Sequence, residues 1–337
     1  MKRIFKQNEI YVLFIFVAIC AVITAFNTSF FSLETFFDLL RGHSFEAILA
    51  IGFFVALLSG GIDVSFTAVA ISGAYLGNLL LVTTGIDSLA LGLVVCMVVG
   101  IILGAINGFF IGFFKIPTLI VTLGTLTAFW GALTSYLQTF VGKTIISELS
   151  PSVVEFGRTN IFEFTNSEGT TIGFPLSGVI FIALALLTWA LLKYTTLGRS
   201  IKAIGGNMEA ARRSGFKITF IQIFIYSYIG FLASIAGFLH VSYIRVASPL
   251  YLIGSEINII AAVVLGGASI MGGKGSVIGT VLGISLLTVI QTSLVLMKIP
   301  SYFQQFVIGL IIVVSVAITA YREQRKAKAT RVLDLEA

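Results

Sequence analysis

Long apolar segments separated by short connections are the feature that most constrains how this 337-residue chain can fold. A helix needs about 20 mainly apolar residues to cross a bilayer, and fewer when neighbours bury its ends. Only 11% of the residues are charged, against about 25% in soluble domains, so one soluble globule cannot hide this apolar surface. We predict an all-α, polytopic transmembrane bundle, a single domain with core 10–320. Its ten predicted spans are 10–26, 44–60, 64–82, 88–111, 117–138, 175–193, 218–238, 257–272, 276–297 and 302–320.

The basic residues are distributed unevenly between alternate connections. Ten crossings place both termini on one side, and that side then carries 16 of the 21 Lys and Arg residues. The positive-inside rule makes this side cytoplasmic, including both termini, the loop 194–217 and the basic, membrane-surface tail 321–337. The loop 139–174 is then outside. The cytoplasmic set is Lys2, Arg3, Lys6, Lys115, Lys193, Arg199, Lys202, Arg212, Arg213, Lys217, Lys274, Arg322, Arg325, Lys326, Lys328 and Arg331; the outer set is Arg41, Lys143, Arg158, Arg245 and Lys298.

The loop 194–217 contains a short helix with both ends specified. The side chain of Asn207 can cap its start. Glu209 in the first turn and Arg212 in the last match the helix dipole. Gly215 supplies a left-handed residue to end it. We predict that this surface helix is a contact for a soluble partner; a solvated connector is the alternative.

A polar break interrupts the apolar stretch 47–82. The segment 59–65 contains two glycines, Asp63 and Ser65. Non-helical backbone at membrane depth is tolerated only against protein or a water-filled cavity. Asp63 and Ser65 either cap the third span or line and gate a pathway, as ionisable groups at such depth often do.

Four further polar residues lie in the fourth and fifth spans. Thr118, Thr122 and Thr125 follow Pro117 at i, i+4 and i+7 and share one helix face. Their hydroxyls either bond to their own helix or face a hydrophilic solute. Asn107 must find a hydrogen bond, because an unpaired buried amide is costly.

Glycines repeat every four residues in two spans. Such stripes let another helix approach closely. The seams predicted here are either plain packing contacts or surfaces that shift during transport. The stripes are Gly100, Gly104, Gly108 and Gly112 in the fourth span, and Gly275, Gly279 and Gly283 in the ninth.

The sequence offers no catalytic, cofactor or metal set, so we expect no enzyme. The glycine-rich turn 265–276 lacks phosphate-loop spacing, because Lys274 is followed by Gly275. Cys20 and Cys96 lie in apolar segments, and His43 and His240 are far apart in sequence. The net charge of +6 comes from connections on one side of the membrane and does not indicate nucleic acid.

Taken together, these segments resemble the inner-membrane permease family of bacterial ABC importers for ribose and other monosaccharides. The resemblance implies two permease subunits, identical or related, around the path. It implies a separate cytoplasmic ATPase that holds ATP and Mg, and a periplasmic or lipid-anchored solute-binding protein. It places the chain in the bacterial inner membrane. The matching residues are Gly60–Ser65, Asn107–Gly108, Pro117–Thr125, Gly198–Gly215, Glu256, Ala261–Gly267 and Gly272–Thr280.

The resemblance also implies roles for individual residues and a solute. The helix 207–215 couples to the ATPase, and the outer loop is longer than the family pattern around 160–168. A monosaccharide is the expected solute, with a nucleoside, branched-chain amino acid or furanone-type signal as alternatives. The ATPase-coupling residues are Gly205, Asn207, Glu209, Ala210, Ala211, Arg212 and Gly215; the pathway residues are Asp63, Ser65, Asn107, Thr118, Thr122 and Thr125.

Two other classes of function are weighed against an importer subunit. A secondary transporter without an ATPase would need membrane carboxylates for coupling, and Asp63 is the sole candidate deep within the span pattern. A scaffold or receptor would need a sizeable soluble domain, which the sequence does not show.

Overall fold

The computed structural model describes residues 7–310 apart from 27, 166–170 and 301, together with 313 and 317. The described chain is a helical bundle with one two-stranded hairpin. The helices are α1 (Gln7–Phe26), α2 (Leu33–Leu58), α3 (Phe66–Thr84), α4 (Leu89–Phe114), α5 (Thr118–Tyr136), α6 (Pro151–Arg158), α7 (Leu176–Tyr194), α8 (Thr196–Gly206), α9 (Met208–Arg213), α10 (Ile218–Ile244), α11 (Glu256–Leu265) and α12 (Val277–Leu296). The strands are β1 (Asn160–Thr165) and β2 (Thr171–Pro175).

Seven of the described helices are long and apolar enough to cross a bilayer: α2, α3, α4, α5 with its extension to Val141, α7, α10 and α12. The predicted polytopic helical bundle is thereby confirmed. The count of ten stays a prediction, because the apolar part of α1, Glu9–Ala25, and α11 are both shorter than these seven spans. Residues 302–310 are helical, and most of the remaining predicted span lies outside the described residues. The same holds for residues 1–6 and the tail 321–337, so the side of both termini also stays a prediction.

Three helices differ by several residues from the sequence prediction: α2, α11 and α10, which continues to Ile244 instead of ending at 238. α2 begins at Leu33 rather than 44, because Ser32 caps it by accepting the N–H of Thr35. α11 ends at Leu265 rather than 272, where a glycine-rich turn with positive φ at Gly267 begins. Its 10 residues span about 15 Å, half of the hydrocarbon core. The crossing predicted at 257–272 would therefore need non-helical backbone before and after α11.

The connections gather at two opposite ends of the bundle. At one, called the basic end, the segments 59–65, 115–117, 194–217 and 266–276 contact each other: Gly273 N donates to Leu58 O at 2.9 Å, and Ile62 N donates to the Thr118 hydroxyl. At the other, the loop after α5 pairs with residue 247 through Ile146. This grouping agrees with the alternation predicted from the positive-inside rule. The basic end carries Lys115, Lys193, Arg199, Lys202, Arg212, Arg213, Lys217 and Lys274.

The glycine stripe of α4 forms the tightest seam of the bundle. α4 packs along α10 so closely that a Cβ atom at Gly104 would overlap the carbonyl of Tyr226. Gly100 approaches Gly230 of α10 in the same way. The second stripe packs α12 on α11, with Gly283 against the carbonyl of Ala262. Close packing, which the spacing predicts, is thus the observed use of both stripes.

The loop 139–174 folds into α6 and an antiparallel hairpin of β1 and β2. Strands were not expected from the sequence. Arg41 of α2 donates to the Asn160 side chain at 2.5 Å and ties the hairpin to the bundle. The side chains of Ile161, Phe162 and Phe164 remain exposed.

Candidate functional site

The break between α2 and α3 is held by two threonines of α5. Gly60 adopts φ +82°, and the chain continues without helical structure to residue 64. The Ile62 N–H donates to Thr118 Oγ1 at 3.1 Å. The Thr122 hydroxyl donates to the Ile62 carbonyl, also at 3.1 Å. The two threonines therefore pair the N–H and the carbonyl of Ile62, which lies in a segment without helical hydrogen bonds of its own.

Asp63, Ser65 and Asn107 form a buried hydrogen-bond chain beside the break. Asp63 Oδ1 accepts from Ser65 N at 2.8 Å and from Ser65 Oγ at 2.7 Å. Asn107 Nδ2 of α4 donates to Ser65 Oγ at 2.7 Å. All three side chains are buried. The Asp63 carboxylate braces the start of α3 by holding the N-cap residue Ser65, whose own side chain makes no capping bond to the helix. A role of these residues in lining or gating a pathway stays a prediction.

Thr125 does not take part in this contact. Its hydroxyl donates to the Thr122 carbonyl of its own helix at 3.4 Å. Of the three threonines on the predicted stripe, Thr118 and Thr122 contact the break and Thr125 bonds within α5. Thr125 therefore follows the first alternative, whereas Thr118 and Thr122 bond to the backbone of Ile62, which neither alternative anticipated. Contact with a hydrophilic solute stays a prediction.

We expect Thr122→Val to lower the stability of the protein and Thr125→Val to leave its stability nearly unchanged. The first change leaves the Ile62 carbonyl without its partner, at a cost of about 1–3 kcal/mol. The second removes a bond that only duplicates helix bonding. Thermal unfolding of the two variants in one detergent checks this. Equal melting temperatures would contradict the role given to Thr122.

Three glycine-containing segments meet next to the break at the basic end; their glycines are Gly60, Gly205 and the pair Gly272 and Gly273. A Cβ atom at Gly205, near the end of α8, would overlap Leu58 O and the nitrogen of Gly273. Gly272 approaches Gly60 equally closely. Gly205 is thus a backbone junction between α8, the end of α2 and the turn before α12.

The predicted helix in the basic loop is α9, and its ends are as expected. Asn207 Oδ1 accepts the N–H of Ala210 at 2.9 Å. Gly215 has φ +85° just after the helix. Glu209 pairs with Arg212 at 3.5 Å and with Arg213 at 3.7 Å. Both ion pairs are exposed and contribute little to stability.

The two faces of α9 differ in exposure. Ala211 is 3% exposed and faces the bundle, whereas Met208 is 44% exposed. Glu209 and Arg212 also remain exposed. The sequence did not indicate that α8 precedes α9 as a second helix, with Thr195 capping it by accepting Gly198 N at 3.0 Å. The basic loop is therefore a helix pair whose outer surface is polar and whose inner surface packs on the bundle.

A cavity of about 730 Å³ separates α9 from the break. This volume falls in the range of small-molecule sites, about 300–1,000 Å³. One wall is formed by α9 and another by the break and the start of α5. The lining residues are Gly60, Ile111, Gly112, Lys115, Ile116, Pro117, Thr118, Met208, Arg212, Phe216, Ile218, Thr219 and Gln222.

Sequence reasoning assigned no role to four polar residues near the break. Gln222 and Tyr226 lie one turn apart on α10 and are 3% and 1% exposed. Thr67 of α3 donates to the Glu256 carboxylate at the start of α11, and the same carboxylate accepts Gly254 N at 2.8 Å. The spacing of Gln222 and Tyr226 within an otherwise apolar segment was the available signal. The contact between Thr67 and Glu256 joins segments 189 positions apart and left no local signal.

Seven apolar helices, a braced polar break and a capped helix at the basic end define a polytopic membrane protein. Comparison with known families matches residues 35–316 to the family described as "Branched-chain amino acid transport system / permease component". The chain belongs to this family of permease subunits, and it is a multi-pass protein of the bacterial inner membrane.

Several curated proteins are similar to the chain over most of its length. The ribose import permease protein RbsC of Haemophilus influenzae is 32% identical and covers 96% of both chains. RbsC of Bacillus subtilis is 32% identical over 90% of this chain and 89% of its own. The autoinducer 2 import system permease protein LsrC of Photorhabdus luminescens is 32% identical over 93% of this chain and 89% of its own. No solved structure gives a significant match.

Membership also indicates how such a subunit works. Permeases of ABC importers operate with an ATPase and a solute-binding protein, and the permease itself is a transport subunit rather than an enzyme.

Proposed function

We propose that this chain forms, with a second permease subunit, the path of an ATP-driven importer for a ribose-like monosaccharide. The support for the solute is similarity to ribose import permeases over nearly the whole chain. A binding protein delivers the sugar at the hairpin end, and a separate ATPase binds ATP and Mg at the basic end.

One observation carries the coupling part of this proposal. α9 forms a wall of the cavity whose opposite wall contains Gly60 and Thr118. Ala211 packs against the bundle, and α8 reaches the end of α2 through Gly205. A displacement of α9 therefore changes the cavity and acts on the break through contacts between packed elements. The polar cluster of Asp63, Ser65 and Asn107 then marks the inner end of the path.

The second permease subunit is proposed from the exposure of α5. Of the 18 most apolar consecutive residues of α5, only 17% are buried. The mean hydropathy of α5 is 1.4, about half the value of 2.9 for α4. Gly124 and Gly131 have open space where a Cβ atom would lie, and Thr127 is exposed. A small and weakly apolar face suits a second protein surface or an aqueous path better than lipid.

A second solute is favoured by one comparison. The autoinducer 2 permease is as similar in identity as the ribose permeases, so a small furanone-type signal is the main alternative. Both solutes are hydroxylated, and the polar groups at the break suit either.

Purification of the native protein in mild detergent tests this proposal. We expect an ATPase chain and a second permease chain to co-purify with it. Mass spectrometry of the ligand retained by a co-purifying binding protein identifies the solute, and ribose or a close relative is expected. Purification without any ATPase, under conditions that preserve a known importer, would contradict the proposal.

A further inference from the structure

Unsatisfied polar atoms gather between the cavity and the break, although polar groups buried in a bundle are normally paired. The Gln222 amide oxygen and the Asn107 amide oxygen are buried and have no hydrogen-bond partner among the described residues. The Tyr226 hydroxyl lies beside Thr118, yet no bond of acceptable geometry forms there. A packed core that left three such atoms in one place would lose stability without gain.

Two of these atoms lie on α10, one turn apart, and lead inward from the cavity. Gln222 lines the cavity itself. Tyr226 lies one helical turn deeper, and its hydroxyl is so close to the break that a side chain at Gly61 would overlap it. Asn107 continues the series through its bond to Ser65. The series therefore connects the cavity with the polar break.

We propose that Gln222 and Tyr226 line the exit of the solute path and form hydrogen bonds with a hydroxylated solute, or with the water that accompanies it, as it leaves toward the cavity. This inference rests on the proposed function and assigns residues to it. An amide and a phenol offer both donors and acceptors, which suits the hydroxyl groups of a sugar. Their free atoms are then the groups that the solute satisfies in passing.

The closing experiment compares matched variants in proteoliposomes that contain the full importer. Gln222→Leu and Tyr226→Phe are expected to lower the maximal rate of ribose uptake about tenfold and to leave its KM unchanged, since delivery occurs at the opposite end. Because the removed atoms have no partner in the protein, the melting temperature stays the same or rises. If Gln222 and Tyr226 had a purely structural role, both changes would instead lower the melting temperature and leave the uptake rate unchanged.

Tyr228→Phe is the matched control. The Tyr228 hydroxyl bonds to Thr188 at 2.7 Å and faces α7. This variant is expected to lower the melting temperature and to leave uptake unchanged. Normal uptake by both Gln222→Leu and Tyr226→Phe would overturn the proposed exit.

A second measurement tests the exit even if the wild type takes up no ribose, which would contradict the proposed solute. In a chain with Cys20 and Cys96 replaced by Ala, Gln222→Cys is expected to react with a charged, water-soluble thiol reagent, and Tyr228→Cys is expected to stay unreactive. A Cys at 222 that remains unlabelled would overturn the exit independently of the solute.

Discussion

Exchange of the charges on α9, by Glu209→Lys and Arg212→Glu in one chain, is expected to reduce ATP-driven uptake at least about tenfold. Juxtaposed like charges at an interface cost several kcal/mol, and about 1.4 kcal/mol corresponds to a factor of ten. The exchange keeps the net charge and the possibility of the ion pair that joins the two residues at 3.5 Å. The change is therefore concentrated on the surface offered to the ATPase.

Uptake and ATP hydrolysis are both measured in proteoliposomes. We expect the variant to insert normally, because both side chains are exposed, while hydrolysis no longer supports uptake. Arg199→Glu on α8 is the control: it alters an exposed charge at the same end but outside α9, and uptake should remain within about twofold, as for most surface substitutions. Normal uptake by the exchanged variant would show that α9 does not couple to the ATPase.

Gly104→Leu is expected to prevent accumulation of the folded permease. A side chain there would overlap the carbonyl of Tyr226, which is backbone and cannot turn away. Overpacking of a well-packed core costs about 1–3 kcal/mol, and backbone overlap more, against a total stability of about 5–15 kcal/mol. Detergent extraction followed by size-exclusion chromatography measures the folded fraction.

Gly124→Leu on α5 provides the matched control. Open space surrounds the position of its Cβ atom, and leucine favours helix more than glycine does, by about 1 kcal/mol. The control should therefore accumulate as a folded chain. Because Gly124 lies on the face proposed to contact a second permease subunit, only the folded fraction and not uptake is compared. Equal yields for Gly104→Leu and the wild type would mean that α4 and α10 are not joined through the glycine stripe.

Local patterns predicted much of this structure from the sequence. Apolar length placed most helices within a few residues, because burial in lipid sets that length. The ends of α9 were predictable because Asn207 and Gly215 act through their own backbone neighbourhood. The α4 stripe was predictable because its spacing of four matches one helix face.

Features that depend on distant contacts were not predictable. Thr118 and Thr122 can bond to Ile62 only because α5 packs against the break. Their spacing in the sequence did not show what their hydroxyl groups contact. The contacts of Gly205 with Leu58 and Gly273 were not predicted, and its expected role at the partner surface stays a prediction. α11 ends early because a glycine-rich turn follows Leu265. A prediction from apolar length alone included this turn in the span 257–272. In each case the deciding neighbour is remote in sequence.

The most direct test of the account is reconstitution of this permease in vesicles with and without an ATPase partner. We expect ribose to accumulate only when the ATPase partner, ATP and the binding protein are all present. No ribose should accumulate when α9 carries the exchanged charges. Accumulation by the permease alone, without nucleotide hydrolysis, would contradict the claim that force reaches the path through α9.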